Sequence, residues 1–586
     1  MDALATITNE SPVESPIFND LDHFAGAALS RLTLGFSPAS ILLATLDWNL
    51  HWTVSPGKRT RMALSIYKDI FDLWGFAALS VFGNEQTDLV PLSRDDHRFQ
   101  APAWRCWPFR IISQAFLLNE KLWDATTHNV LGVAPHHENM VAFGARQWLD
   151  VFSPSNSPLT NPVILEKTWQ SGGTNFLRGL GYLIEDISRN VAGKNPVGTN
   201  SFEVGKTVAA TPGKIVFQNH LIELIQYSPT TEKVYAEPIL IVPAWIMKYY
   251  ILDLSPQNSL IRYLVSQGHT VFCISWRNVT QLDRNVGLDD YREQGVMKAL
   301  NCISEILPER AVHGVGYCLG GTLLSIAAAA MAHADDHRLA SITLFAAQTD
   351  FTEPGELQLF IDHSQIGILE SMMWARGVLD SQQMAGAFQI LQSNDLVWSR
   401  LVHNYLMGER QPTTDLMAWN ADGTRMPFRM HSEYLRSLFL NNDFAAGRLR
   451  VDGHPVAIQN IRIPIFAVGT ESDQIAPWRS VFKIQYLADT EVTFVLTKGG
   501  HNAGIVSEPG HAHRHYQLRT TREGDADIDA DEWVAKTEII EGSWWPAWTA
   551  WLQQRSSTKI TPPTMGKSSN PLALLLDAPG SYILEH

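Results

Sequence analysis

A cysteine, an aspartate and a histidine, in that order along the chain, are the residues of this sequence best suited to covalent chemistry. Cys318 lies in the segment GYCLG at 316–320, a Gly-x-Cys-x-Gly pattern, and Asp473 and His501 follow downstream. An imidazole can take the proton of a thiol and leave a strong nucleophile, while a carboxylate fixes the tautomer of the imidazole and stabilises its charged form. Nucleophile, acid and base follow in this order in one class of catalytic triads. We therefore expect Cys318, His501 and Asp473 to form a triad.

The segment around Cys318 predicts a strand, a sharp turn and a helix. A short apolar stretch precedes it, and a run of small residues, 322–332, follows it. Such a turn holds the nucleophile in a strained backbone conformation, and a Cβ at Gly316 or Gly320 would collide with a neighbouring strand or helix. The N-terminus of the following helix would favour a thiolate. A buried structural cysteine in a glycine-rich turn would give the same pattern, and it remains the alternative.

Backbone N–H groups near this turn are candidates for an oxyanion hole. The N–H of Leu319, directly after the nucleophile, would supply one donor. The loop after the first strand of the sheet would supply the second, which places it near Trp245 and Ile246.

Asp473 and His501 each follow a predicted strand, at 463–469 and 491–496. Sites in open α/β sheets form at the carboxyl edge, where both residues would lie. An aspartate after a strand is also common as a turn or cap residue, and a histidine after two glycines is common in loops. Their order and their shared edge favour the triad.

The order of the elements predicts the fold class. Further strands are predicted at 238–245, 270–276 and 340–348, with helices between them. This alternation predicts an α/β protein with a mostly parallel sheet, the α/β-hydrolase fold. Helical, aromatic-rich sequence interrupts it at about 350–449, as a lid over an active site would.

The length of 586 residues exceeds what one core usually supports, so more than one domain is expected. The predicted segments are a disordered N-terminus at 1–20, a mainly α-helical N-terminal domain at 21–205, an α/β-hydrolase catalytic domain at 206–556 that contains the lid, and a C-terminal tail at 557–586.

Composition excludes several classes of partner. A net charge of −15 argues against nucleic acid. Four cysteines in so long a chain do not make a disulfide scaffold, which favours the cytoplasm. Residues 1–22 lack the apolar core of a signal peptide, and we expect no transmembrane segment. His136 and His137 lack the i, i+4 spacing of a zinc site. His511, His513 and His515 alternate and could chelate a metal, but a solvated loop is the expected interpretation. We therefore expect no metal and no cofactor.

Several long segments make the chain resemble the polyhydroxyalkanoate synthases, the poly(3-hydroxybutyrate) polymerases, of the long single-subunit, class I-like type. These segments are 241–278, 316–322, 419–442, 472–478 and 499–506. The resemblance implies polymerisation of (R)-3-hydroxyacyl-CoA into a storage polyester with release of CoA, which is part of the substrate and not a cofactor. The catalytic residues of the family fall on Cys318, Asp473 and His501.

The resemblance also implies roles outside the triad. Aromatic and polar lid residues of the family correspond to Trp419, Tyr434 and Asn442. Ala503 matches a position associated with monomer size and, together with the chain length, favours short monomers such as 3-hydroxybutyryl-CoA. Members of the family are thought to act as homodimers on cytoplasmic polymer granules, with the helical N-terminal domain in contact with the granule or the second subunit.

Two other functions fit the same sequence. A cysteine-dependent thioesterase or hydrolase of this fold would use water as acceptor, and a non-catalytic granule-associated protein would use only the helical domain. A cysteine nucleophile favours the transferase, because passing an acyl group from one thioester to another changes the free energy little. The acyl-cysteine then stays reactive enough to pass its acyl group to a hydroxyl.

Overall fold

The computed structural model describes residues 16–586 apart from 34, 82–86, 94–95, 385, 387–396, 523 and 567–575. Helices fill the chain up to residue 191, and a large sheet with helices on both faces follows. Of the segment 1–20, predicted to be disordered, residues 1–15 lie outside the described residues, whereas Pro16 already begins a helix. Among the described helices, none has both the length and the apolar character that crossing a membrane requires.

The helices before the sheet open at residues that favour helix starts. They are α1 Pro16–Leu32, α2 Pro38–Thr53, α3 Pro56–Val81, α4 Phe109–Thr127, α5 Pro135–Val151, α6 Pro162–Ser171 and α7 Thr174–Val191. Proline suits the first turn because the N–H it lacks has no partner there. Ser37 caps α2 and Asn161 caps α6 by accepting backbone N–H groups of the first turn.

Ten strands form one sheet. They are β1 Gly213–Gln218, β2 Ile222–Tyr227, β3 Ile239–Val242, β4 Val271–Trp276, β5 Val312–Tyr317, β6 Leu339–Phe345, β7 Ile465–Thr470, β8 Val492–Thr497, β9 His515–Thr521 and β10 Ile539–Glu541. Their order across the sheet is β1-β2-β4-β3-β5-β6-β7-β8-β9-β10, and the neighbours from β4 to β8 are parallel. This confirms the predicted mostly parallel sheet.

The two flanks of the sheet are antiparallel, and sequence analysis assigned none of their four strands. On one flank, Glu223 and Gln226 interrupt the apolar run of β2, although both are buried. Their partners come from far along the chain: Glu223 accepts the backbone N–H groups of Ser581 and Tyr582, and Gln226 accepts that of Gly566. A local pattern therefore could not mark β2 as a buried strand.

Helices and alternating apolar side chains cover both faces. The described helices of this half are α8 Leu260–Ser266, α9 Lys298–Ile306, α10 Leu319–His333, α11 His363–Arg376, α12 Asp415–Asn420, α13 Phe428–Glu433, α14 Trp478–Phe482, α15 Ile484–Leu487, α16 Ala530–Lys536 and α17 Trp545–Gln554. In β3, Leu240 and Val242 join one buried cluster, and Ile239 and Ile241 join the other. Strands buried on both faces explain the continuous apolar runs in the sequence.

The chain leaves the sheet after β6 and returns at β7, and the intervening insertion contains α11 to α13. Its two ends meet at Asn442, whose side chain accepts the N–H of Phe351 (3.0 Å) and donates to Asp350 (3.0 Å). The insertion is therefore closed at a neck that lies beside the sheet.

The helices before the sheet hold this insertion at two places. At the first, α1 packs along α11, Ser40 of α2 donates to Asp362 (2.9 Å), and the N–H of Ser37 donates to the side-chain oxygen of Gln365 (2.8 Å). At the second, α7 packs on residues 401–406, and Asp186 bonds to Arg400 and Arg410 of the insertion. In the sequence, the insertion residues that make these two contacts come before and after residues 387–396.

Residues 576–586, part of the predicted tail, are fixed against the sheet. Lys214 of β1 and Asp577 form an isolated antiparallel β-bridge, and the side chain of Ile583 is buried, with 1% exposed. Gly580 has a φ of +82° and lies close to Glu223. A Cβ at Gly580 would lie 2.3 Å from a carboxylate oxygen of Glu223. Only glycine suits that position, because it needs both the space and the left-handed backbone.

Candidate active site

Cys318 lies in the sharp turn between β5 and α10. Its backbone has φ +52° and ψ −124°, a left-handed conformation that costs a non-glycine residue about 1–3 kcal/mol. The turn is held by the N–H of Cys318, which donates to Phe345 of β6 (2.9 Å), and by the carbonyl of Cys318, which accepts the N–H of Gly321 (2.9 Å). The thiol is partly exposed at the N-terminus of α10. This is the arrangement that sequence analysis predicted for a nucleophile.

The glycines of the turn are required by close packing. A Cβ at Gly316 would lie 2.3 Å from the Cα of Gly321, and one at Gly320 would lie 2.0 Å from the carbonyl oxygen of Val242 at the end of β3. The turn therefore touches both its own helix and the neighbouring strand. This contact also brings the loop after β3 next to Cys318.

His501 and Asp473 form a buried pair at the same edge of the sheet. His501 follows β8 and Asp473 follows β7, and Nδ1 of the imidazole lies 2.8 Å from Oδ2 of the carboxylate. The other carboxylate oxygen accepts the backbone N–H groups of Ile475 (2.9 Å) and Ala476 (2.8 Å). These bonds fix the carboxylate, and the carboxylate in turn fixes the orientation of the ring.

The charges around His501 favour its protonated form. Burial alone lowers the pKa of His501, but the charges of Asp473 and Cys318, and their hydrogen bonds to the ring, raise it well above its usual value. The thiol of Cys318 is thus close enough to act on the imidazole. A thiolate beside an imidazolium is the charge state that a cysteine nucleophile uses.

The three predicted oxyanion donors are available. Within the described residues, the backbone N–H groups of Leu319, Trp245 and Ile246 make no hydrogen bond. The carbonyls of the loop do have a partner: the hydroxyl of Thr424 donates to Trp245 (2.5 Å), and the N–H of Thr424 donates to Ile246 (3.3 Å). The side chain of Trp245 is buried against Trp276. The loop therefore directs its carbonyls to the insertion and leaves its donors unpaired.

The four predicted substrate or lid residues do not share one place. Tyr434 is buried close to the thiol: burial, and then the charge of Cys318, raise the pKa of this tyrosine well above its usual value. Trp419 is buried and donates from Nε1 to the carbonyl of Lys248 (2.7 Å), so it packs behind the loop after β3. Asn442 closes the neck of the insertion, as described above.

Ala503, two residues after His501, is partly buried, and its carbonyl accepts a hydrogen bond from Arg514 (2.7 Å). Sequence analysis did not find the hydroxyl of Tyr317, which donates to the side-chain oxygen of Asn502 while its ring lies 5.6 Å from that of His501. The only local signal was the position of Tyr317 within the glycine motif. Within the described residues, no three His, Cys, Asp or Glu side chains are grouped as a metal site.

Family models match most of the chain. A model described as "Poly-beta-hydroxybutyrate polymerase N terminal" matches residues 16–58, and one described as "Poly-beta-hydroxybutyrate polymerase (PhaC) N-terminus" matches 95–264. A model described as "alpha/beta hydrolase fold" matches 237–508, which includes all three residues of the predicted triad.

Curated relatives agree with these models over nearly the whole length. The poly(3-hydroxyalkanoate) polymerase of Methylorubrum extorquens is 38% identical over 535 residues, covering 91% of this chain and 88% of that one. The corresponding PhaC subunit of Rhizobium meliloti is 36% identical, covering 93% and 89%. That of Cupriavidus necator is 35% identical, covering 83% of each. The chain therefore belongs to the poly(3-hydroxyalkanoate) polymerases, enzymes built here on an α/β-hydrolase fold.

Proposed function

We propose that this polymerase builds its polyester through an acyl thioester on Cys318, with His501 as the base and Asp473 as the partner of the base. Its substrate is an (R)-3-hydroxyacyl-CoA, with 3-hydroxybutyryl-CoA the preferred monomer. The observation that carries the proposal is the buried bond between His501 and Asp473 at the sheet edge where Cys318 occupies a strained turn.

The first half of the cycle loads the enzyme. The thiolate of Cys318 attacks the carbonyl carbon of the substrate, and the N–H groups of Leu319 and of the loop at 245–246 hold the negative charge of the tetrahedral intermediate. The bond to the sulfur of CoA then breaks. CoA leaves with the proton that His501 carried, and an acyl-cysteine remains.

The second half extends the chain. His501, now neutral, removes the proton from the 3-hydroxyl of an incoming (R)-3-hydroxyacyl-CoA, and the resulting oxygen nucleophile attacks the acyl thioester on Cys318. An ester bond forms, the carbon–sulfur bond to Cys318 breaks, and the thiolate of Cys318 is restored. The extended chain is then a CoA thioester, and it reloads Cys318 with release of CoA as in the first half. The buried Tyr434 and the insertion above the thiol favour this route over hydrolysis, because they limit access of water.

The test is a product analysis of the purified protein with 3-hydroxybutyryl-CoA. We expect one CoA released for each monomer incorporated and an insoluble polyester as the product. A Cys318→Ala protein should release no CoA, since it lacks the nucleophile. Free 3-hydroxybutyrate as the sole product would instead indicate a thioesterase, and full CoA release by Cys318→Ala would exclude catalysis by this thiol.

A panel of 3-hydroxyacyl-CoA substrates tests the monomer preference separately. Because Ala503 lies two residues from His501 and is partly buried, we expect CoA release to fall as the acyl chain grows beyond four carbons. Equal rates with 3-hydroxybutyryl-CoA and 3-hydroxyoctanoyl-CoA would contradict the preference.

We also propose that the protein acts as a homodimer on the surface of cytoplasmic polymer granules and uses its helical N-terminal part for these contacts. The outer face of α7 supports this, because it carries exposed apolar side chains at helical spacing: Leu177, Leu180, Ile184, Ile187 and Val191. Exposed apolar faces of this extent commonly mark an interface. A Leu180→Glu, Ile184→Glu double variant should lose sedimentation with polymer particles or dimerisation in solution, and retention of both would contradict the proposal.

A further inference from the structure

Lys248 is a buried cation that no step of the proposed reaction uses. The residue is 3% exposed, and its Nζ donates to the main-chain oxygens of Glu585 (2.6 Å) and Tyr582 (3.4 Å). Placing an ammonium group out of water is unfavourable unless such acceptors surround it. The contact therefore joins the loop after β3 firmly to residues 581–586.

Residues 581–586 are themselves fixed by other parts of the fold. The buried carboxylate of Glu223 in β2 accepts the N–H groups of Ser581 (2.9 Å) and Tyr582 (3.0 Å). The carboxylate of Glu585 accepts the N–H of Asn278, in the loop after β4, at 3.0 Å. The acceptors that Lys248 uses are thus held by strand β2 and by the loop after β4.

The loop after β3 is held from two other sides. Thr424 of the insertion holds the carbonyls of Trp245 and Ile246, and Trp419 of the insertion donates to the carbonyl of Lys248 (2.7 Å). Trp276 of β4 donates from Nε1 to the carbonyl of Pro243 at the start of the loop (2.8 Å) and packs against Trp245. Lys248 supplies a further link to the sheet, through residues 581–586, at the other end of the loop.

We infer that Lys248 is a positioning residue for the oxyanion donors at Trp245 and Ile246, and that residues 581–586 serve as its brace. The inference rests on the proposed function, since it assumes that these N–H groups hold the charge of the intermediate. Such donors act only within about 2.7–3.1 Å of the developing oxyanion. A misplacement of about 1 Å is enough to lower a rate by about 100-fold.

Substitution Lys248→Met tests the inference because it keeps the length of the side chain and removes the donor. We expect kcat for CoA release to fall roughly 10- to 100-fold while KM stays within about twofold, because the donors act on the transition state and not on substrate binding. Lys206→Met is the matched control: Lys206 is exposed and forms an ion pair with Glu203 on the surface. It should keep the kcat of the unmodified protein.

Hydrogen exchange supplies a readout that does not depend on turnover. In Lys248→Met, amides of residues 244–250 should exchange faster, while those of β8 should keep their rates. An unchanged kcat would overturn the inference, and so would a lower kcat without faster exchange in the loop.

A second variant covers the case in which Lys248→Met does not fold. A protein ending at Gly580 should be slow, and a synthetic peptide of residues 581–586 should restore its kcat where a scrambled peptide does not. Failure of the peptide to restore any activity would overturn the inference. Cys318→Ala separates the two proposals: if it still releases CoA, the triad is wrong, whereas an inactive Cys318→Ala beside a fully active Lys248→Met overturns only the positioning role.

Discussion

The chemistry proposed for Cys318 depends on what surrounds one imidazole. His501 is buried, which on its own would keep it neutral, yet Asp473 and the thiol raise its pKa well above the usual value. The carboxylate of Asp473 can do this because it is fixed by backbone N–H groups and needs no reorganisation. The pair therefore favours the protonated imidazole beside Cys318.

Replacing Asp473 by Asn tests this account. The substitution keeps the shape but removes the negative charge, so the raised pKa of His501 should fall and the imidazolium should be lost at lower pH. We expect the alkaline limb of the pH profile of CoA release to move to lower pH, with kcat reduced by up to about 10⁴-fold. The measurement is the initial rate of CoA release between pH 5 and 10.

Asp335→Asn is a suitable control for this series, because Asp335 is exposed and its carboxylate lies beside the exposed His337. An alkaline limb that stays in place in Asp473→Asn would show that Asp473 does not set the charge state of His501.

At the residue scale, the sequence predicted the three triad candidates from local signals. Cys318 directly follows a strand within a short glycine motif, and Asp473 and His501 lie in the loops that follow two other strands. The contacts of Tyr317 with Asn502 and of Lys248 with Glu585 join residues that are 185 and 337 positions apart in the chain. Neither has a local signal, so only the fold could reveal them.

At the scale of elements, the turn between β5 and α10 is the most tightly packed point near the thiol. Gly320 touches the end of β3, and Gly316 touches the start of α10. Added atoms would have to push a strand or a helix away, because protein interiors have little free space.

A pair of glycine substitutions measures this packing. Gly320→Ala should lower the free energy of unfolding by about 3 kcal/mol and abolish CoA release, since the new Cβ meets the backbone of Val242. Gly144→Ala is the matched change in an open position of α5, where nothing lies within 4 Å, and it should raise stability by up to about 1 kcal/mol. Denaturant unfolding followed by tryptophan fluorescence gives both values.

An unaffected Gly320→Ala protein would mean that the turn can move away from β3. That result would also remove the structural reason for placing the loop of Trp245 beside Cys318.

Prediction of elements depended on how each strand is buried. The parallel strands were predicted because both of their faces are apolar. Strand β2 was missed because Glu223 and Gln226 are polar, and their partners lie more than three hundred residues downstream. Burial that depends on such distant partners cannot be read from a window of neighbouring residues.

At the scale of the whole molecule, the helical N-terminal part and the insertion are joined by buried polar contacts. Asp362 shows this best, because it caps α11 through the N–H groups of Ser364 and Gln365 and also accepts from Ser40 of α2. Burial alone would raise the pKa of Asp362, but these hydrogen bonds and that of His136 hold it well below the usual value.

A carboxyl group with a lowered pKa stabilises the folded protein above about pH 4, its unfolded value, and loses this effect as pH falls further. Asp362→Asn should therefore lower the thermal midpoint at pH 7, and the difference from the unmodified protein should shrink below pH 4. Differential scanning fluorimetry from pH 3 to pH 7 measures it. A constant difference across this range would show that the charge of Asp362 has no part in the contact.

The arrangement of these parts was the least predictable from sequence. The helical domain and the insertion were each expected, but not that α1 lies along α11 or that α7 holds residues 401–406. The stacked rings of His23 and Trp374, for instance, join positions that have no common local pattern. The apolar spacing of an amphipathic helix indicates that one of its faces is covered, but it does not indicate which element covers that face.

The neck at Asn442 has a practical consequence for protein engineering. The insertion leaves the α/β domain at residues 350–351 and returns to it at Asn442, and hydrogen bonds join these two ends. The segment between them can therefore be treated as a cassette for grafting between homologous enzymes. A graft of the cassette alone would break its polar contacts with α2 and α7 of the recipient. Chimeras that transplant the cassette together with those helices keep the contacts, and they are the better starting point for such exchanges.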